Sequence, residues 1–442
     1  MVAAPALPAR RFAWLRMRRK LDRLARIASS VCMIGLVLLT FNQAFQGITP
    51  ELALWRDFGQ DYLLGRALVD GIDPYVPVRE LAQRYVEPTG FLARTTPAPH
   101  PPSMAVLVLP LLLLDYTNAV RAWFVLQIGA LLIGVCLTLR SVGARWAVAA
   151  QVAPAATLLL FLWPAIGLDV GLGQSTTLLL ALLAGAQCAL GSGRSRLGGV
   201  LLGVSMLVKP LAWPWLLVFA ARRMWSASVA TLAIALIGWT MPALRIGIGP
   251  IVGYFVHTLP AVSATYATEV TNFSWWTIGP RLFDGTSAFG TAVPPLLDAP
   301  TVAGVVGVAL PGLVLALAVT WLMTMRPRSL AAFGVMTAVA LLINPISWGY
   351  YFVLMLLPIA ALAAALLHSR WPAGHVIVAL GCIGLLIPIE GQLVDLARQL
   401  SPDRALAPLP TLITLAPSLG VAGIGVLLAR HAVSQANLRN RT

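Results

Sequence analysis

The sequence is poor in charge. Asp, Glu, Lys and Arg make up only 11% of its 442 residues, against about 25% in a soluble globular domain. That shortage excludes an ordinary water-soluble fold. Acids are scarcer still, at 16 against 31 basic residues, and only Lys20 and Lys209 are lysines. The four cysteines, Cys32, Cys136, Cys188 and Cys382, sit in apolar runs without CxxC spacing. They behave as small buried apolar residues, so neither a zinc site nor a disulfide framework is expected. The apolar stretches do not alternate with polar residues, which excludes a transmembrane β-barrel. There is no internal repeat, no low-complexity segment and no Rossmann-like stretch, hence no soluble nucleotide-binding domain.

What is present is apolar residues, 59% of the chain, in long blocks such as IASSVCMIGLVLLTF from Ile27 and VAGVVGVALPGLVLALAVTWLM from Val302. A span needs about 20 mostly apolar residues. The sequence therefore predicts an all-α, polytopic membrane bundle of about 12 spans, within about four residues at each end. These lie near 27–47, 103–117, 120–140, 147–166, 174–191, 197–221, 227–246, 301–324, 329–346, 350–368, 374–390 and 408–430. Residues 1–442 are treated as one integral-membrane domain, with an uncleaved first span. Two polar insertions interrupt it, at 46–102 and 246–300.

The net charge of +15 comes from short clusters, RRFAWLRMRRK, ARRMW (Ala221–Trp225), MRPR (Met325–Arg328), HSRWPAGH and the C-terminal tail. Clusters that flank spans mark the cytoplasmic side, and they are too short and scattered for nucleic acid. Both termini are then cytoplasmic in an inner membrane, and both insertions and the NPISWGYY segment face outward. Simple counting of spans puts GSGRSR, from Gly191, opposite ARRMW, whereas the charge rule wants both inside. A broken helix pair that rises to Lys209-Pro210 and turns back satisfies both.

Four of the 16 acids, Asp57, Asp61, Asp70 and Asp73, fall within WRDFGQDYLLGRALVDGIDPY, Trp55–Tyr75. Asp57 with Gln60 three residues on reads as a helix start, Gly71 as its close and Asp73-Pro74 as a turn. That structural role accounts for Asp57 on its own. Asp57 and Asp61 also share one helical face, where a carboxylate pair can serve acid–base chemistry, bind a metal or, as is commoner, simply be solvated. Lys209 lies in an apolar stretch, LLGVSMLVKPLAWPWLLVFA, with no acid nearby. It is either a snorkelling lysine or a functional cation suited to phosphate. Gly173-Gln174, with Asp169 just before, and His100-Pro101-Pro102 each precede a span. In the second insertion Asn272, Trp275, Trp276 and Arg281 combine aromatic and cationic character. Such residues suit either an interfacial aromatic belt or a sugar- or phosphate-binding surface.

Taken in order, these pieces resemble glycosyltransferase family 87, which includes polyprenyl-phosphate-mannose-dependent mannosyltransferases with the GT-C fold. The early Asp57, the small-residue helix and the GRALVDGIDPY turn are similar to that family's pattern. So are His100-Pro101-Pro102 against its Tyr-Pro-Pro, Gly173-Gln174, GGVLLGVSMLVKP and NPISW, Asn344–Trp348. One departure stands out. Where the family usually carries histidines, this chain has Gly349-Tyr350-Tyr351. Tyrosine donates a hydrogen bond but carries no positive charge.

The resemblance implies transfer of a sugar, by default mannose, from a polyprenyl-phosphate donor to an envelope glycolipid or glycan. The reaction would run on the outer face, with inversion and without a cofactor or metal. Asp57 would be the catalytic base. Lys209 would be the leading phosphate ligand, with Arg281 and His100 behind it. Gln174, Tyr350, Trp276 and Asp61 would contact sugar or phosphate. Two rival readings remain, a lipid-linked glycan transporter and a non-catalytic envelope assembly protein.

Overall fold

A computed structural model describes residues 7–86, 95–288, 291–324, 329–368, 371–387, 392, 395–396, 399 and 412–439. The MRPR cluster and part of HSRWPAGH lie outside these. In chain order the helices are α1 (Leu7–Asn42), α2 (Pro50–Ala53), α3 (Phe58–Asp70), α4 (Val78–Tyr85), α5 (Pro102–Leu107), α6 (Tyr116–Ser141) and α7 (Trp146–Leu160). They continue with α8 (Pro164–Leu172), α9 (Thr176–Gly191), α10 (Ser195–Val208), α11 (Pro214–Ala221), α12 (Trp225–Ile246), α13 (Ile248–Gly253) and α14 (Leu259–Thr265). The last are α15 (Ile278–Phe283), α16 (Pro300–Thr324), α17 (Leu330–Ile343), α18 (Leu356–His368), α19 (Ala373–Gly384) and α20 (Ala416–Arg439). A small antiparallel ribbon, β1 (Thr286–Ala288) with β2 (Thr291–Val293), decorates the second insertion.

The chain is a multi-pass membrane protein, but about 12 spans are not what the helices form. Among the described residues six helical segments are long and apolar enough to cross, or seven if α7 and α8 make one bent span. The run at 103–117 is the six-residue α5 followed by a 3-10 turn at Leu109–Leu113. The run at 147–166 breaks before Pro164, where α7 and α8 meet at 87°. Helix α10 has 14 residues. At about 1.5 Å per residue it reaches about 21 Å, short of a hydrocarbon core about 30 Å thick. Apolar composition marks what is buried from water, whether by lipid or by protein. Length and proline decide which segments cross. Lipid-facing character is clearest on α1, whose membrane window is only 6% buried.

The broken pair at Lys209 is present. α10 ends there, Pro210–Ala212 makes a 3-10 turn, and α11 runs back. As a result α10 and α12 are parallel. Thr231 Oγ1 donates to the Gly199 carbonyl at 2.9 Å. A side chain at Gly199 would collide with Ala227, at Gly203 with Ile234, and at Gly238 with Leu207. Gly199 and Gly203 are four apart, the small-residue spacing that lets two membrane helices touch backbone to backbone. GSGRSR and ARRMW therefore lie at the same end of the bundle. This resolves the conflict between counting and charge.

The opposite end gathers the polar parts. Arg245, closing α12, donates to the Val69 carbonyl at 2.6 Å, and Tyr254 donates to the Pro99 carbonyl at 2.9 Å. The rings of Tyr75 and Tyr254 lie 5.0 Å apart. The two insertions thus pack on each other, over the ends of α8, α10 and α12.

Candidate active site

α3 begins at Asp57 and is closed by Gly71, whose φ is 72°. That is the left-handed conformation glycine tolerates. Asp57 is the helix's N-cap residue, yet its carboxylate makes no capping hydrogen bond. It is turned instead toward the α8–α9 junction. Gln174 Nε2 donates to Asp57 Oδ2 at 2.8 Å, and Gln60 Nε2 approaches Oδ1 at 3.3 Å. Lys209 Nζ donates to Gln174 Oε1 at 2.9 Å. A carboxylate accepts only and an ammonium donates only, so one orientation of the Gln174 amide serves both. The outcome is a buried chain, carboxylate–amide–ammonium, with Asp57 8%, Gln174 3% and Lys209 6% exposed.

The junction that presents Gln174 is tightly built. Gly173 has φ 72°, and a side chain there would crowd Phe58. The Asp57 backbone N–H donates to the Leu172 carbonyl at 2.6 Å. Trp123 Nε1 donates to the Gly173 carbonyl at 2.8 Å, and Gln127 Nε2 to the carbonyls of Asp169 and Gln174 at 3.1 and 2.6 Å. The fully buried Asp169 accepts the N–H groups of Thr176 and Thr177 at 3.1 and 3.2 Å, capping α9. Gln127 and Trp123 have no signal in the sequence, because both sit mid-helix in α6 and act through carbonyls far along the chain.

At Lys209 the backbone is extended, with φ −151° and ψ 135°. A residue before proline prefers that conformation. Its ammonium lies 4.6 Å from the Tyr351 ring centre and 5.5 Å from that of Tyr350.

One turn along α3, Asp61 Oδ1 takes His100 Nδ1 at 2.5 Å, with both residues buried. Tyr75 donates to the His100 carbonyl at 3.0 Å. Three residues after His100, Ser103 Oγ donates to the carbonyl of Leu207 at 2.7 Å, two residues before Lys209. The Asp61–His100 pair therefore borders the Asp57–Gln174–Lys209 chain.

Arg281 and Trp276 are placed differently. Arg281 is wholly buried, and it donates to the Asn272 carbonyl at 3.0 Å and to the Thr414 hydroxyl. Burial works against its charge, pushing the guanidinium down to about 9, and Glu269 offsets part of that. Trp276 Nε1 donates to the Ile343 carbonyl at 2.7 Å. Asn272 Oδ1 accepts from Ser274 and Ser347 N–H at 3.2 and 2.9 Å, and Phe273 N–H donates to the Ser347 carbonyl at 2.7 Å. This group fastens the second insertion to NPISW. None of these bonds reaches Asp57, Gln174 or Lys209. The described residues also hold no group of three or more His, Cys, Asp or Glu able to ligate a metal.

The model of glycosyltransferase family 87 matches residues 99–347, more than half of the chain. No curated protein and no solved structure matches it. The matched stretch contains His100, Asp169, Gln174, Lys209, Trp276 and Arg281, begins after Asp57 and Asp61, and stops before Tyr350. The chain belongs to glycosyltransferase family 87, and it is a membrane glycosyltransferase.

Proposed function

We propose that this family 87 enzyme moves mannose from a polyprenyl-phosphate donor to a glycolipid or glycan of the cell envelope, on the outer face of the inner membrane. One observation carries the reading: a buried carboxylate and a buried ammonium are held one neutral amide apart. Glycosyl transfer from a phosphate calls for a base and a cation close to each other, and the Gln174 amide holds this carboxylate and this ammonium in that relation.

In this scheme Asp57 takes the proton of the acceptor hydroxyl as its oxygen attacks the anomeric carbon. The bond from that carbon to the phosphate oxygen breaks, and the departing prenyl phosphate gains one negative charge. Lys209 stabilises that charge. General-base help of this kind is worth about 10²–10⁴ in rate, and one preorganised charge-stabilising donor about 10²–10³. Attack opposite the leaving group inverts the anomeric centre. The Asp57 proton then passes to solvent. Gln174 keeps base and cation in place. His100 with Asp61, and Tyr350, are assigned to sugar and phosphate contacts at the border of the chain. Arg281 and Trp276 act at one remove, by holding the second insertion. The basic clusters at the far end of the bundle support an outward-facing site.

The test is transfer by purified protein in lipid, with an envelope-lipid extract as acceptor. Labelled polyprenyl-phosphate mannose should be used and GDP-mannose should not. Transfer from GDP-mannose alone, or undiminished transfer by Asp57→Asn, would sink the proposal.

A further inference from the structure

We infer that Tyr351 is a positioning residue for donor phosphate, holding the Lys209 ammonium by its ring face so that its remaining N–H donors stay available to the ligand. The inference rests on the donor reading above and deepens it.

A buried lysine must be held by something. The usual partner is a carboxylate hydrogen-bonded to the ammonium, which occupies its donors. The hydrogen bond of Lys209 goes to an amide instead. One N–H goes to the neutral Gln174 amide at 2.9 Å, and the ammonium sits 4.6 Å from the centre of the Tyr351 ring. An aromatic face attracts a cation through its quadrupole, within about 6 Å, and carries no net charge. The ammonium has three donors. With one on Gln174 and the ring face beside it, capacity for a phosphate oxygen remains. The Asp57 carboxylate bonds the other end of the Gln174 amide, and the Asp169 carboxylate, engaged in capping α9, feels the Lys209 charge without a hydrogen bond to it.

The ring is itself fixed. Tyr351 is 6% exposed, and its N–H donates to the Trp348 carbonyl at 2.9 Å. Tyr350 meets it edge-on, with centroids 4.9 Å apart and planes at 86°. Tyr350 also faces the ammonium, at 5.5 Å, as the weaker of the two contacts. Both tyrosines belong to the 3-10 segment Gly349–Met355, which also packs on α8 and α9. The segment thus registers the ring against the same junction that presents Gln174.

The experiment needs neither the sugar nor the acceptor. Full-length protein in lipid nanodiscs is titrated with decaprenyl phosphate and, separately, with decaprenol, and bound lipid is counted by native mass spectrometry. Wild type should prefer the phosphate. Tyr351→Leu should lose about tenfold of that preference, as expected for a desolvated cation–π contact. Tyr351→Phe, which keeps the ring, should stay within about threefold of wild type. In a Lys209→Met background, Tyr351→Leu should cost nothing more, because a residue acting through Lys209 is not additive with its loss. Unchanged decaprenol binding shows that each variant is folded, and Tyr351→Met replaces the Leu variant if that one melts early. An intact preference in Tyr351→Leu, an equal loss in Tyr351→Phe, or additive losses with Lys209→Met each overturn the assignment of Tyr351 alone. No phosphate preference in wild type removes the donor reading, and this inference with it.

Discussion

Asp57 and Arg281 are both buried charges in polar insertions, one in each, and their surroundings differ in kind. Beside Asp57 stands a side-chain amide that is itself bound to a second charge, Lys209. Arg281 donates to a backbone carbonyl and a threonine hydroxyl of the surrounding scaffold, and Glu269 offsets part of the cost of burying its charge. The first arrangement links two opposite charges through one neutral amide, the geometry on which the proposed base and phosphate ligand rest. The second ties a cation to the chain around it by hydrogen bonds to a carbonyl and a hydroxyl. Residue type does not distinguish these uses, because arginine, tryptophan and asparagine suit a binding surface and a buried clamp equally well.

The sharpest way to break the comparison is Asp57→Asn. It should lower transfer by about 10²–10⁴. The melting temperature should stay within a few degrees, since the carboxylate makes no capping bond to α3. A large drop in thermal stability would return Asp57 to a structural role. Lys209→Met comes next, at about 10²–10³ in kcat/KM, measured with the lipid-linked donor. A loss below about threefold would mean that the ammonium does not face the reacting phosphate.

Arg281→Ala sets the second insertion against the first. It should destabilise the fold by about 2–4 kcal/mol, through a cavity and the loss of the bonds to the Asn272 carbonyl and the Thr414 hydroxyl. Transfer per folded molecule, measured after removing aggregate, should remain within about threefold. A hundredfold loss without destabilisation would move Arg281 into the site. The smallest effect belongs to Trp276→Phe, which removes the hydrogen bond to Ile343. It should cost about 1 kcal/mol in a thermal melt.

Several parts of this arrangement are legible in the residues. Gly71 closes α3 because a left-handed turn favours glycine, and Lys209 ends α10 because proline follows it. Charge placement at ARRMW and GSGRSR requires a returning helix pair, and α10 and α11 supply it. The number of spans is not legible. Apolar runs such as 103–117 and 174–191 read as membrane segments, yet they build a six-residue helix with a 3-10 turn and a 16-residue helix packed inside the bundle. Nor is the role of Gln127 legible, or the ring contact of Tyr351 with Lys209.

By itself, then, the sequence determined the membrane class, the helix ends and the short set of polar residues that an apolar chain must place somewhere. Those follow from local sterics and from composition, which act over a few residues at a time. Only the tertiary structure decided which of these groups meet. Gln174 reaches Asp57 across 117 positions and Lys209 across 35. Arg281 donates to the Asn272 carbonyl and the Thr414 hydroxyl. A buried donor or acceptor must find a partner wherever packing brings one, because leaving it unpaired costs about 1–3 kcal/mol. Which partner that is depends on how the helices cross, and no local pattern in the chain encodes it.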